Sequence, residues 1–229
     1  MQFLLNLLFP KFCIGCNSIG SYICSRCFQQ FQFFGQQICP YCFLPEKDGL
    51  THELCISEEA LDGSYSLLVY RGLTKKFIKN IKYKRVYAVL DDFFKNLPEQ
   101  EVSNLITALD KYNIDYIQPV PLHSMRKKIR GFNQSEYIAL HLSKLLDTPI
   151  INAVLRIKNT SPQAQISKRE ERIFNINRAF QYIKNDKYKN KNVLLVDDLF
   201  TTGSTTKELA RELKNQGIGH VFSFTLAHG

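Results

Sequence analysis

The chain has 229 residues, 45% of them apolar and 22% charged, and carries a formal net charge of +9. This composition excludes a disordered chain, and the length suits one substantial domain plus a small module. The positive charge favours anionic partners, either phosphorylated substrates or nucleic acid, and no run of about 18 apolar residues exists to form a membrane-spanning helix.

The chain opens Met1-Gln2-Phe3-Leu4-Leu5-Asn6-Leu7-Leu8-Phe9-Pro10. The segment lacks a basic start and a cleavage site, so it reads as a short amphipathic helix packing on the domain rather than a signal peptide. The expectation is a cytoplasmic protein with no membrane insertion.

All seven cysteines follow within the first 55 residues, as Cys13-x2-Cys16, Cys24-x2-Cys27, Cys39-x2-Cys42 and Cys55. Paired Cys-x2-Cys knuckles set thiolates at tetrahedral zinc spacing, and Cys13, Cys16, Cys24 and Cys27 complete one structural site. Cys39, Cys42, His52 and Cys55 form a second, Cys3His set, with His52 the least certain ligand, because a lone histidine is more often a polar surface residue. A disulfide framework fits poorly, since the cysteine count is odd and nothing signals export. One or two structural zinc ions are expected, supplying stability that so small a module lacks.

From about Leu61 a second domain is expected, so the division is 1–60 and 61–229. Ser64–Tyr70 reads as a strand. Leu73, Phe77, Ile78 and Ile81 then recur at helical spacing, with Lys75, Lys76, Lys79 and Lys82 assigned to the opposite face. That lysine face is either solvated surface or a seat for a polyanion, and Tyr83, Tyr87 and Phe132 lie near lysines as stacking candidates or core residues. Further helices are expected over 88–97 and 101–109.

Tyr116–Pro121 reads as a short strand halted by prolines. A basic loop follows, Leu122-His123-Ser124-Met125-Arg126-Lys127-Lys128-Ile129-Arg130-Gly131-Phe132-Asn133-Gln134. At the carboxyl edge of a parallel sheet, its four cations suit a pyrophosphate. A helix over Ser135–Leu146 comes next, then short strands near 153–157 and 179–183. Between them, Thr160–Asn175 holds Lys168, Arg169, Glu170, Glu171 and Arg172, and reads equally as a mobile lid or a solvated helix.

Val193-Leu194-Leu195-Val196 suits a strand buried on both faces, with Asp197 and Asp198 placed where it should end. Thr201-Thr202-Gly203-Ser204-Thr205 then precedes a helix over 204–215 closed by Gly217, and 220–227 is the last strand. Hydroxyls and backbone N–H groups at a strand-to-helix turn converge on one anion, aided by the helix N-terminus. Two carboxylates for sugar hydroxyls therefore sit beside a cradle for a phosphate. Strands alternating with helices imply a mostly parallel sheet.

This run resembles the 5-phosphoribosyl 1-pyrophosphate (PRPP) motif of type I phosphoribosyltransferases. With the cysteine module, Pro119–His123, Arg130-Gly131-Phe132-Asn133-Gln134, Glu171-Arg172-Ile173-Phe174-Asn175 and Ala179-Phe180, the chain resembles the ComF family nearly throughout. It departs from the family pattern at His52, where a cysteine is usual, at Ser124 and at Lys127-Lys128. The resemblance implies an α/β, type I phosphoribosyltransferase-like fold of mostly parallel sheet flanked by helices, with a small N-terminal zinc-ribbon module. It implies a PRPP site in which Asp197 and Asp198 hold the ribose and Thr201, Thr202, Gly203, Ser204 and Thr205 hold the 5′-phosphate. His123, Arg126 and Arg130 would face the pyrophosphate and its Mg2+. It also implies a role in natural transformation, with single-stranded DNA and competence or recombination proteins as partners and the acceptor open. Three readings follow: an active transferase, a non-catalytic DNA-binding relative, and a zinc-ribbon interaction module that senses a phosphorylated metabolite.

Overall fold

The computed structural model describes residues 10–83, 88–160 and 176–229. The leading apolar segment up to Phe9, the stretch 161–175 with its lid-or-helix alternatives, and Tyr87 lie outside the described residues, as does the side chain of Tyr83. Among the described residues no helix is long and apolar enough to cross a membrane.

In chain order the main elements are α1 (Ser25–Phe28), β1 (Gly63–Val69), α2 (Gly72–Tyr83), α3 (Ala88–Lys95), α4 (Glu99–Asp110) and β2 (Tyr116–Pro119). They continue with α5 (Ser124–Arg130), α6 (Gln134–Leu146), β3 (Val154–Arg156), β4 (Phe180–Tyr182), β5 (Val193–Phe200), α7 (Ser204–Asn215) and β6 (Val221–His228). Strands β1, β6, β5 and β2 form a four-stranded sheet in that order, parallel at every pairing.

Alternation along β5 explains its unbroken apolar start, because successive side chains leave on opposite faces. Leu194 and Val196 join a core under α2, α3, α4 and α6, including Phe77, Phe93, Leu105 and Ile138. Val193 and Leu195 join a second core with Leu209 and Leu213 of α7 and with Val154 and Phe180. Helices on both faces are what a parallel sheet requires.

The cysteine module solves its shortage of core by sharing the first one. Cys13, Ile23, Cys27, Phe28 and Phe31 are buried there. Phe28 stacks on Phe93 at 5.6 Å between ring centroids, and Phe31 meets Phe77 edge-on at 5.5 Å. Leu61, at the expected start of the second domain, is fully buried in the other core.

Four expectations are corrected. Strand β5 does not stop before the acidic pair: its pairing with β6 continues through Asp197↔Thr225 to Phe200↔His228, so both carboxylates belong to the strand. The basic loop is a helix, α5, capped by His123 Nδ1, which accepts from Met125 N at 3.3 Å, and closed by Gly131 in the left-handed conformation at φ 80°. Strands β3 and β4 pair antiparallel as a separate two-stranded sheet rather than joining the parallel one. Lys82 is not on the solvated lysine face but half-buried against Asp198.

Candidate functional site: an acidic pair, a hydroxyl turn and three arginines

The carboxyl end of β5 opens into a cleft lined by Asp197, Asp198, Thr201, Gly203, Ser204 and Thr205, and by Arg126, Arg130 and Arg156 from facing elements. Lys82, Gln134, Ser135 and Thr206 complete its polar wall. Thr202 and His123 do not line this cleft. Thr202 supports the turn, its Oγ1 lying 3.2 Å from Ser204 Oγ, and His123 serves as the α5 cap.

The hydroxyl turn has a shape that its glycine makes possible. Gly203 sits at φ 70°, where other residues are strained, and a Cβ there would lie 2.4 Å from the Phe200 ring. Thr206 Oγ1 donates to the Gly203 carbonyl at 3.1 Å, which fixes the start of α7. The Ser204 amide donates to Thr202 Oγ1 at 3.4 Å, and the Thr205 and Thr206 amides follow it at the α7 N-terminus, the end of a helix that suits an anion.

The two carboxylates have different surroundings. Asp198 is 2% exposed, and its Oδ1 accepts from Lys82 Nζ at 2.9 Å. Burial disfavours the Lys82 ammonium, but the charge and hydrogen bond of Asp198 outweigh it and hold the ammonium in its charged form. Asp198 Oδ2 is buried and meets no hydrogen-bond donor among the described residues. Asp197 Oδ1 accepts from Ser135 Oγ at 3.1 Å and from the Asp198 amide at 2.9 Å. Burial, then the neighbouring Asp198 charge, push the Asp197 carboxyl up to about 6.

The helical form of α5 decides which of its cations reach the cleft. Positions four apart share a helix face, so Arg126 and Arg130 enter together, whereas Lys127 and Lys128 are exposed and Lys127 pairs with Glu136 at 2.7 Å. Arg130 Nη1 donates to Gln134 Oε1 at 3.1 Å, and Arg126 donates to the Thr160 carbonyl. The Arg-Gly-Phe-Asn-Gln run thereby acquires physical roles. Asn133 caps α6 and ties it to the Val120 carbonyl at 3.0 Å, and Phe132 is buried against Tyr137 rather than offered for stacking.

Sequence reasoning missed Lys82 and Arg156. Lys82 stands four residues after Ile78, so it projects from the apolar face of α2, and that spacing was the available signal. Arg156 lies two residues after buried Val154, on the inward side of β3. Burial and the charges of Arg126 and Arg130 lower the Arg156 guanidinium to about 10. Its Nε is buried with no hydrogen-bond partner among the described residues. A cationic donor and an anionic acceptor are thus both buried without a partner among the described residues, in two side chains that line one cleft.

The cysteines converge in two groups. Cys13, Cys16, Cys24 and Cys27 place their sulfurs within 4.8 Å of one another, as do Cys39, Cys42 and Cys55. Gly15 keeps the first knuckle tight, since a Cβ there would lie 2.6 Å from Cys27 Sγ. His52 falls outside the second group as it stands, yet its Nδ1 is 3.1 Å from Cys42 Sγ. Its Nε2 meets Glu46 Oε2 at 2.7 Å, the carboxylate-behind-histidine arrangement that orients zinc-ligating imidazoles. Four thiolates, and three thiolates with an imidazole, are donor sets that fit structural zinc.

Comparisons with known proteins match two separate stretches of the chain. Residues 4–57 match the double zinc ribbon domain, and residues 133–228 match the phosphoribosyl transferase domain. Over 113 residues the chain is 35% identical to competence protein F of Haemophilus influenzae, covering 48% of this chain and 49% of that protein. The match therefore spans about half the length of that relative. Over 217 residues it is 26% identical to competence protein ComFC of Bacillus subtilis, covering 89% of this chain and 83% of the relative. The DNA utilization protein YhgH of Escherichia coli K12 is 35% identical over 108 residues, covering 47% and 46% of the two chains. With a double zinc ribbon joined to a phosphoribosyltransferase domain, this chain belongs to the ComF family.

Proposed function

We propose that the cleft binds PRPP with Mg2+, and that the protein acts in natural competence, handling single-stranded DNA after uptake. The observation that carries the first part is the convergence of Asp197 and Asp198, the Thr201–Thr205 turn and three arginines on one cleft. The acidic pair takes the ribose hydroxyls, and the turn takes the 5′-phosphate at the α7 N-terminus. Arg126, Arg130 and Arg156 take the pyrophosphate as planar, charge-assisted donors. Mg2+ accompanies the pyrophosphate and neutralises part of its charge.

The same placement supports transfer chemistry. Departure of pyrophosphate leaves positive character at the anomeric carbon, which the acidic pair stabilises while the arginines hold the leaving group. The attacking group then comes from the acceptor. The competence role is supported by the names of the Haemophilus and Bacillus relatives, and a link to DNA by the Escherichia name. Lys75, Lys76 and Lys79 on α2, with Lys127 and Lys128 on α5, are exposed and offer cations to a phosphate backbone. The zinc ribbons have no open coordination position and serve structure.

Calorimetry with PRPP and Mg2+ tests the site. The folded Asp197→Ala/Asp198→Ala variant is expected to lose about 1–3 kcal/mol of binding, or more, because two ribose hydroxyls lose their acceptors. Unchanged affinity would remove the acidic pair from the site. Pyrophosphate release, followed with and without candidate acceptors, separates turnover from binding alone.

A further inference from the structure

The hydroxyl turn is braced from behind by the second ribbon. Lys207, in the first turn of α7, donates from Nζ to the Thr202 carbonyl at 2.9 Å. The same ammonium lies over the rings of Tyr41 at 4.6 Å, Phe43 at 5.3 Å and Phe200 at 5.9 Å. Tyr41 stands between Cys39 and Cys42, and Phe43 follows directly. The Tyr41 hydroxyl accepts from the Leu61 amide at 2.8 Å, so its ring is fixed by the knuckle at one end and by the second core at the other. A Cβ on Gly203 would meet Phe200 at 2.4 Å and Lys207 Cε at 3.0 Å, so turn, ring and lysine stem pack without slack.

We propose that Lys207 is a positioning residue for the phosphate subsite, and that Tyr41 and Phe43 make the second zinc ribbon part of that subsite's support. A turn that binds an anion must keep its N–H groups inward and its carbonyls away, because a carbonyl facing the phosphate repels it. Lys207 ties the Thr202 oxygen to the ribbon side. A lysine confines a carbonyl only if its own flexible stem is confined, and the aromatic box does this by cation–π contact. Loss of metal at Cys39, Cys42 and Cys55 frees Tyr41 and loosens the turn. The inference rests on reading Thr201–Thr205 as the phosphate turn.

The test uses the full-length, zinc-loaded protein and three variants: Lys207→Met, Lys207→Arg and Tyr41→Leu. Amide hydrogen exchange over Thr201–Thr205 is measured without ligand, and affinities for ribose 5-phosphate and for magnesium pyrophosphate are measured by calorimetry. In Lys207→Met and Tyr41→Leu, turn exchange is expected to rise about tenfold while central β5 amides stay protected. Ribose 5-phosphate affinity is expected to fall about tenfold with pyrophosphate affinity unchanged, and Lys207→Arg is expected to restore both turn protection and affinity. Cys55→Ser, with its zinc content read by elemental analysis, is expected to reproduce the faster turn exchange. Unchanged turn exchange in both Lys207→Met and Tyr41→Leu would overturn the brace, as would equal loss of both affinities or exchange raised uniformly through the protein. If ribose 5-phosphate does not bind the unmodified protein, the functional reading falls, while the exchange measurement still decides the brace.

Discussion

Replacing Lys82 by methionine strands the Asp198 carboxylate in the wall of the cleft. The Lys82 side chain is 21% exposed and that of Asp198 only 4%, so both charges are largely withdrawn from bulk water. At a separation of 2.9 Å, two unit charges attract by roughly 6 kcal/mol at an effective dielectric near 20. Desolvation removes part of this, and breaking a buried pair from one side costs about 3–5 kcal/mol. Lys82→Met is therefore expected to lower unfolding stability by about that amount, read from urea denaturation followed by far-UV circular dichroism at neutral pH. Adding Asp198→Asn removes the stranded charge, so the double variant is expected to recover at least about 2 kcal/mol over Lys82→Met. A single-variant loss below about 1 kcal/mol, or a double variant no more stable than the single, would refute the buried pair.

Burial and the Asp198 charge push the Asp197 carboxyl up to about 6, and the proposed ribose contact needs its ionised, acceptor-only form. PRPP affinity is expected to rise with pH through about 6 more steeply than in Asp197→Asn, which carries the ligand's own ionisation but not this group's. Identical calorimetric pH profiles would contradict it. Zinc is expected at one to two atoms per chain by elemental analysis, with Cys13→Ser unfolding the first ribbon and His52→Ala lowering the content by one, because ligation there is folding energy. Single-stranded DNA is expected to bind with little sequence preference and to lose about 10²–10³ in affinity between roughly 50 and 200 mM salt if some six phosphates are contacted. Neutralising Lys75, Lys76 and Lys79 together is expected to flatten that salt slope in fluorescence anisotropy; no anisotropy change at low salt would end the DNA reading.

Much of the molecule was legible as sequence because short-range chemistry dictated it. Cysteine spacing alone sets which thiols can meet, and Cys13 to Cys27 do meet. Val193–Val196 had to be a doubly covered strand, since an unbroken apolar run has no face to give water. The Thr201–Thr205 turn was readable because a glycine among hydroxyl residues between a strand and a helix suits a tight turn, and Gly203 does adopt φ 70° there. What required the tertiary structure was pairing between distant segments. Lys82 looked like one lysine of four until β5 brought Asp198 beneath α2. Arg156 carried no motif, and only the antiparallel turn-back of β3 and β4 beside the sheet sets it facing Arg126 and Arg130. The helix of α5 chose two cations of four, because helical spacing, not charge, decides which side chains face a cleft. The second ribbon read as a separate module, and only folding set Tyr41 against Lys207, joining a Cys-x2-Cys knuckle to the Thr201–Thr205 turn that lies far along the chain.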